Sequence, residues 1–210
     1  MKQPRPAWAP PRPAVEVVPP GPVDARLAAP TSKSVTNRLL VLAALAWGES
    51  TLADPLDSDD TAAMRRVLNG MRIRVEEAPG PLWRIHGGPL VTPPGMLDCG
   101  LSGTTMRFGV ALASVSNWGA RFTGHPSLLR RPTGPLVAAI EALGGKARDL
   151  GGYPPVDVQG GGLGGGAVTV DARGSSQFAS ALLMVAPYAD TDVTLTVAGA
   201  PALAYVELTA

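Results

Sequence analysis

The sequence predicts an α/β domain in which a helix–strand–helix–strand–strand unit occurs three times, with buried helices surrounded by sheets. Three almost wholly apolar helical segments each open with a Ser- or Gly-containing turn, at Ser32, Ser102 and Ser175. These starts lie about 70 residues apart, and such a regular spacing suggests structural repeats. A strand-like run follows each segment. Because a helix that is apolar on every side must be buried on every side, we expect all three helices inside the domain.

The other elements follow in order within each unit. The strand-like runs after the apolar helices are 50–53, 120–123 and 193–197. Amphipathic helices are predicted over 59–71 and 133–143, each with a single apolar stripe that places it at the surface. Closing strands are predicted at 72–75, 83–86, 97–99, 146–148, 156–159 and 167–171. The final letters AYVELTA predict the first turns of a third amphipathic helix. Since domain boundaries favour exposed linkers, we expect a truncated third unit.

The totals restrict the kind of protein. Residues 1–22 are Pro-rich and predict an extended lead-in without the apolar run of a signal peptide, which leaves 23–210 as the folded domain. The longest apolar run, 39–47, is too short to span a bilayer. A formal net charge of +1 disfavours nucleic acid and anionic membranes as partners. The single cysteine, Cys99, cannot form an internal disulfide, so we expect a cytoplasmic protein.

The starts of the three apolar helices predict a site for an anion. Helix N-termini carry unpaired N–H groups and the positive end of the helix dipole. Cationic side chains accompany them in sequence, and these are Lys33, Arg38, Arg107, Arg130 and Arg131. If the three units are related by pseudo-symmetry, the helix starts converge at one end of the domain. The pattern then favours a small polyanion with phosphate and carboxylate groups.

Each of these residues also has a simpler explanation when it is taken alone. Any one of the three serines is accounted for as a helix N-cap. Arg107 lies inside an apolar helix, and for it we expect a structural salt bridge. The acidic residues Asp57, Asp59 and Asp60 indicate a helix N-terminus rather than a metal site. The joint occurrence at matching points of three units is what favours an anion site.

Five segments resemble, in order and at matching spacing, the signatures of the EPSP synthase family of enolpyruvyl transferases. They are SKSVTNRLLVLAALAWGESTL, LDSDDTAAMRRVL, LDCGLSGTTMRF, RRPTGPLVAAIEALGG and SSQFASALLM, and they cover nearly everything from Thr31 to Pro187. The resemblance implies two similar domains of three units each, which close over shikimate 3-phosphate and phosphoenolpyruvate. By resemblance this chain is most of the N-terminal domain, and the C-terminal domain would be a partner in cis or in trans.

The resemblance also implies a role for individual positions. Lys33 matches a catalytic lysine that touches both substrates. The residues that match binding positions for shikimate 3-phosphate are Ser34, Arg38, Thr104, Ser175, Ser176, Gln177 and Tyr205. Among them, Ser34 and Arg38 correspond to the carboxylate side, and Ser175 and Ser176 to the phosphate. Gly103, Arg131 and Gln177 match positions that border phosphoenolpyruvate, with Arg131 on its phosphate.

The family reaction needs neither a metal nor an organic cofactor. The 5-hydroxyl of shikimate 3-phosphate adds to C2 of phosphoenolpyruvate while C3 is protonated, and the tetrahedral intermediate then loses phosphate. Positioned proton donors and acceptors and facing cations support such chemistry. The resemblance places the proton-transfer carboxylates in the second domain, so we expect no transferase turnover from residues 1–210 alone.

Several positions depart from the family pattern, and two other functions stay open. Thr31 stands where glycine is usual and is expected to crowd the site. Ala202 stands where the family has a serine that helps to bind phosphate. Ala204 replaces a proline, and Leu101 replaces an asparagine. Ala202 favours a non-catalytic binding half or a diverged remnant. The sister transferase that acts on UDP-N-acetylglucosamine is disfavoured by the SKS opening. It is also disfavoured because Cys99 fits a small core residue better than a loop nucleophile.

Overall fold

The computed structural model describes residues 21–22, 24–91, 95–199 and 202–210. The extended lead-in predicted for 1–22 therefore lies almost entirely outside the described residues. The helices are α1 (Lys33–Leu45), α2 (Asp59–Gly70), α3 (Gly103–Ser114), α4 (Gly134–Ala142), α5 (Gln177–Val185) and α6 (Leu203–Glu207), with a 3₁₀ turn at Ala186–Tyr188. The strands are β1 (Gly48–Ala53), β2 (Arg74–Ala78), β3 (Leu82–Gly87), β4 (Met96–Asp98), β5 (Ala120–Thr123), β6 (Ala147–Arg148), β7 (Val156–Val158), β8 (Gly166–Asp171) and β9 (Val193–Ala198). The α/β class expected from the sequence is confirmed.

The starts of the long helices follow from local capping chemistry. The hydroxyl oxygen of Ser32 accepts a hydrogen bond from the backbone N–H of Val35, and Ser102 accepts one from Thr105 at the start of α3. Ser58 forms a reciprocal capping box with Thr61 at the start of α2. Each bond satisfies one of the donors that a helix N-terminus leaves unpaired. These short polar residues therefore fix where each apolar segment becomes helical.

The strands form three sheets around these helices. The first has the order β1–β3–β2 and is antiparallel throughout. The second has the order β4–β5–β7–β6, in which β4 pairs parallel with β5 and the other pairs are antiparallel. The third contains β8 and β9, which are parallel. The parallel pairs β4–β5 and β8–β9 correspond to each other, because the first strand of each precedes an apolar helix (α3 or α5) and the second follows it.

The three apolar helices differ in how completely they are buried. Every residue of α3 is buried, as the sequence predicts, and α5 is buried along nearly its whole length. The expectation for α1 is wrong on one side, because Val35, Leu39 and Leu42 are substantially exposed. These residues form a stripe at helical spacing that no element among the described residues covers.

The amphipathic helices lie where the sequence places them. The inward residues of α2, among them Met64, Val67 and Leu68, are buried, whereas Arg66 and Asn69 on the outer face are exposed. In α4, Leu136 and Ile140 enter the core. The short α6 buries Val206. Within the described ranges, no helix combines the length and the apolar character needed to cross a bilayer.

Candidate anion-binding site

A cavity of about 350 Å³ lies where the starts of α1, α3, α5 and α6 meet. Its walls are formed by Lys33, Ser34, Arg38, Thr104, Ser175, Ser176, Gln177, Ala202 and Tyr205. Every predicted site residue except Gly103 and Arg131 is in that lining. Gly103 directly precedes Thr104 in α3, and the guanidinium of Arg131 lies against Gly103. The structure therefore brings together residues that lie far apart in the sequence, from Lys33 to Tyr205. Their individual roles stay predictions.

Gln177 links two of the helix starts across the cavity. Its amide Nε2 donates to the hydroxyl of Thr104 at 2.9 Å, and its Oε1 accepts from Nη1 of Arg107 at 2.6 Å. Gln177 is the first residue of α5, while Thr104 and Arg107 belong to α3. The amide orientation is thus fixed by both partners, and the wall between α3 and α5 is held rigid.

Arg107 carries a buried positive charge without a carboxylate partner. The residue is 3% exposed, and none of the ion pairs among the described residues includes it. Besides Gln177, it donates to the carbonyl of Pro132 at 3.2 Å, and its Nε has no hydrogen-bond partner. Burial and the neighbouring charge of Arg131 lower its pKa to about 10. The salt bridge expected from the sequence is wrong, and the charge instead contributes positive potential beside the cavity.

Gly103 keeps its side-chain position free for two guanidinium groups. A Cβ on Gly103 would lie 2.7 Å from Nη1 of Arg131 and 2.8 Å from Nη1 of Arg107. Any larger residue here would have to displace one arginine or both. The absence of a side chain therefore allows two cations to approach the first turn of α3, where backbone N–H groups are unpaired.

Arg38 ties α1 to the last residues of the chain. Its guanidinium donates to the hydroxyls of Thr209 at 2.7 Å and Ser180 at 2.8 Å, and to the carbonyls of Ser34 and Tyr205 at 2.9 Å. It also lies over the ring of Phe108, with 5.5 Å between Cζ and the ring centroid. Burial lowers the pKa of Arg38 despite the opposing influence of Tyr205. Most of its donors are thus engaged with protein, and it acts as a fixed charge in the cavity wall.

Lys33 forms an ion pair that the sequence did not reveal. Its Nζ lies 2.5 Å from Oδ2 of Asp60, in the first turn of α2. Burial opposes ionisation of Asp60, but hydrogen bonds from Lys33 and Ser102 and the charges of Lys33 and Arg131 outweigh it and lower its pKa. The sequence interpretation of Asp60 as only an acidic helix N-terminus was therefore incomplete.

The two serines before α5 differ from the sequence expectation in detail. Ser176, rather than Ser175, is the residue that caps α5, and its hydroxyl makes no capping bond. The hydroxyl of Ser175 instead accepts from the backbone N–H of Gln177 at 3.2 Å. Ser176 thus retains a hydroxyl for a ligand at the positive end of α5.

The departures from the family pattern fall in different places. Ala202 lines the cavity and offers it only a methyl group, whereas Thr31 is exposed and is not among the lining residues. Thr31 therefore does not crowd the site as expected. Ala204 is exposed on α6, and Leu101 lines a neighbouring surface cavity. Only Ala202 changes the chemistry of the wall itself.

Cys99 has no chemical role at this site. It is buried, and desolvation together with the charge of Asp98 raises its thiol pKa to about 12. A thiol that stays protonated is a poor nucleophile, so its predicted place in the core is confirmed.

The cavity is suited to a small polyanion. Among the described residues its lining contains two cations and no carboxylate, together with hydroxyls, an amide and the starts of helices. Such a wall stabilises negative charge through fixed dipoles and charge-assisted hydrogen bonds. In the same described residues, no group of three His, Cys, Asp or Glu side chains is arranged to hold a metal ion.

Comparison with known proteins identifies the family. Residues 17–210 match the family EPSP synthase (3-phosphoshikimate 1-carboxyvinyltransferase). The chain belongs to the EPSP synthase family. A 3-phosphoshikimate 1-carboxyvinyltransferase of Methanoculleus marisnigri is 43% identical over 196 residues, which is 90% of this chain and 46% of that protein. A Syntrophobacter fumaroxidans protein of the same name is 41% identical over 183 residues, or 82% of this chain and 42% of the relative.

Solved structures agree with the sequence comparison. An EPSP synthase from Acinetobacter baumannii superposes with a TM-score of 0.77 and 27% identity, covering 86% of this chain and 42% of that structure. The fold described above therefore matches part of the EPSP synthase fold. The chain spans about half the length of the curated relatives that it matches.

Proposed function

We propose that this chain supplies the substrate-binding half of an EPSP synthase active site, which holds shikimate 3-phosphate and phosphoenolpyruvate for enolpyruvyl transfer. The observation that supports the proposal is the cavity suited to a polyanion at the meeting point of four helix starts. Relatives of this chain are named for that reaction. In the shikimate pathway, the transfer joins the 5-hydroxyl of shikimate 3-phosphate to C2 of phosphoenolpyruvate and releases phosphate.

The charges along the cavity suggest how the two substrates would lie. Ser175 and Ser176 stand at the start of α5, where a phosphate group gains the helix dipole and hydroxyl donors. Arg38 and Ser34 face the same space from α1 and suit the carboxylate of shikimate 3-phosphate, with Tyr205 beside it. Gln177 and Thr104 would contact the ring between these two ends.

The two arginines next to Gly103 are suited to bind the phosphate of the second substrate. Arg131 and Arg107 approach the first turn of α3 together, and they would face the phosphate of phosphoenolpyruvate. Lys33, the first residue of α1, would reach both substrates and stabilise charge that develops at their reacting atoms. No carboxylate is found in the described lining to move a proton, so we expect binding without turnover until a second domain contributes one.

Calorimetric titration of the purified chain tests the proposal. We expect saturable heat with shikimate 3-phosphate and far weaker binding of shikimate, which lacks the phosphate. Ser176→Ala should weaken binding by roughly 10- to 100-fold, the value of one hydrogen bond to a charged group. Thr194→Ala, which removes an exposed hydroxyl on β9, is the matched control and should bind like the wild type. Equal binding of shikimate and its phosphate would contradict the proposal.

One observation favours a binding half that never takes part in catalysis. Ala202 lies in the cavity wall at a position where a hydroxyl could donate to the ligand phosphate. If this chain no longer takes part in catalysis and has lost a phosphate-binding hydroxyl at position 202 for that reason, Ala202→Ser should restore the donor. Binding of shikimate 3-phosphate should then become tighter in the same titration. A catalytically selected site would show little gain from that change.

A further inference from the structure

Asp60 occupies an unusual place beside the cationic cavity. It is a carboxylate, and a carboxylate next to an anion site weakens anion binding by simple repulsion. Its Oδ2 nevertheless lies 2.5 Å from the Lys33 ammonium, and its side chain is 25% exposed, against 49% for Lys33. The more exposed and flexible member of the pair is thus held by the more buried one.

The segment that carries Asp60 is itself held by α3. The backbone carbonyl of Asp60 accepts from the hydroxyl of Thr105, in the first turn of α3, at 3.3 Å. Ser102, the N-cap residue of α3, also helps to lower the pKa of the Asp60 carboxyl. The first turn of α2, from which the carboxylate projects, is therefore tied to the start of α3.

A lysine needs such an anchor more than an arginine does. Its ammonium is a point charge on a stem with four rotatable bonds, and it makes no planar fork that could fix its direction. Arg38 is immobilised by four hydrogen bonds, whereas Lys33 has Asp60 as its ion-pair partner in the described structure. Ordering a long side chain when a ligand binds lowers affinity unless the side chain is ordered beforehand.

We propose that Asp60 is a positioning residue that holds the Lys33 ammonium at the wall of the cavity, ready for the anionic ligand. The proposal rests on the proposed function for the identity of the ligand. Removal of the carboxylate charge distinguishes positioning from simple repulsion. If Asp60 only repelled the anion, Asp60→Asn would bind it more tightly. If Asp60 positions Lys33, Asp60→Asn should bind it more weakly, by roughly 3- to 10-fold.

Nitrogen-15 relaxation of the lysine ammonium groups measures positioning without any ligand. We expect the Lys33 ammonium to be restricted in the wild type and in Asp59→Asn, which removes the neighbouring exposed carboxylate of the same helix turn. In Asp60→Asn it should become as mobile as a free lysine, while Asp60→Glu should restore part of the restriction. A Lys33 that is equally mobile in wild type and Asp60→Asn would overturn the proposal.

Titration with shikimate 3-phosphate completes the test. If Asp60 acts through Lys33, Asp60→Asn should weaken binding in the wild type and have no effect in a Lys33→Ala background. Unchanged or tighter binding by Asp60→Asn would also overturn the proposal. A wild type that binds no shikimate 3-phosphate would contradict the proposed function instead, and the relaxation measurement would still decide whether Asp60 positions Lys33.

Discussion

Among the single residues of the site, Arg107 carries a buried positive charge that no carboxylate among the described residues neutralises. Arg107 is buried against Gln177, Pro132 and the ring of Phe178, and no carboxylate compensates it among the described residues. A buried unpaired charge destabilises the folded state, and a ligand anion relieves that penalty when it binds. If the proposed ligand binds here, we expect Arg107 to cost stability in its absence and to contribute affinity in its presence.

Replacement of Arg107 should separate these two effects. In Arg107→Met, an apolar side chain of similar length fills the same space. We therefore expect the Tm without ligand to stay the same or to rise by roughly a few degrees. The affinity for shikimate 3-phosphate should fall at least about tenfold, because Gln177 loses its partner and the cavity loses a charge. Differential scanning calorimetry with and without ligand measures both. A large drop in Tm without ligand would show that Arg107 is mainly structural.

At the scale of elements, α1 presents neighbouring leucines to opposite environments. Leu40 is 0% exposed and Leu39 is 44% exposed, although nothing in the local sequence distinguishes them. The core therefore lies on one side of the helix, and the stripe of Val35, Leu39 and Leu42 contributes little to the stability of this chain.

Alanine substitutions at these two leucines should differ strongly. Leu40→Ala should lower the free energy of unfolding by about 2–5 kcal/mol, because it leaves a cavity in the core. Leu39→Ala should lower it by less than about 1 kcal/mol, since nearly half of Leu39 is already exposed and its removal leaves no closed cavity. Urea denaturation followed by circular dichroism provides both values. Equal losses would mean that the stripe is covered in solution, and our description of α1 would then be wrong.

The sequence predicted much of this architecture and of the lining of the cavity. A capping serine followed by an apolar run placed the starts of α1 and α3 correctly. Periodicity could not tell a helix buried all round from α1, because an apolar stripe looks the same whether or not a neighbour covers it. The pairing of Lys33 with Asp60 was also out of reach, since two consecutive aspartates are fully explained by a helix N-terminus. Only the packing of α1 beside α2 brings the pair into contact.

At the scale of the whole molecule, the three sheets are unequal. The second sheet has four strands, and its inward residues on β5, Ala120 and Phe122, are buried. The third has two strands, and the inward residues of β9 are only half-buried. The lining of the cavity does not depend on this sheet alone, because it comes from the starts of four helices within the described residues.

The central claim is that these helix starts share one ligand. Amide chemical-shift mapping with shikimate 3-phosphate tests it most directly, because it reports on every helix start in one titration. The account predicts that the amides of Ser34, Gly103 and Ser176 shift together with a single dissociation constant. Shifts confined to one of the three helices, or centred elsewhere on the surface, would contradict it.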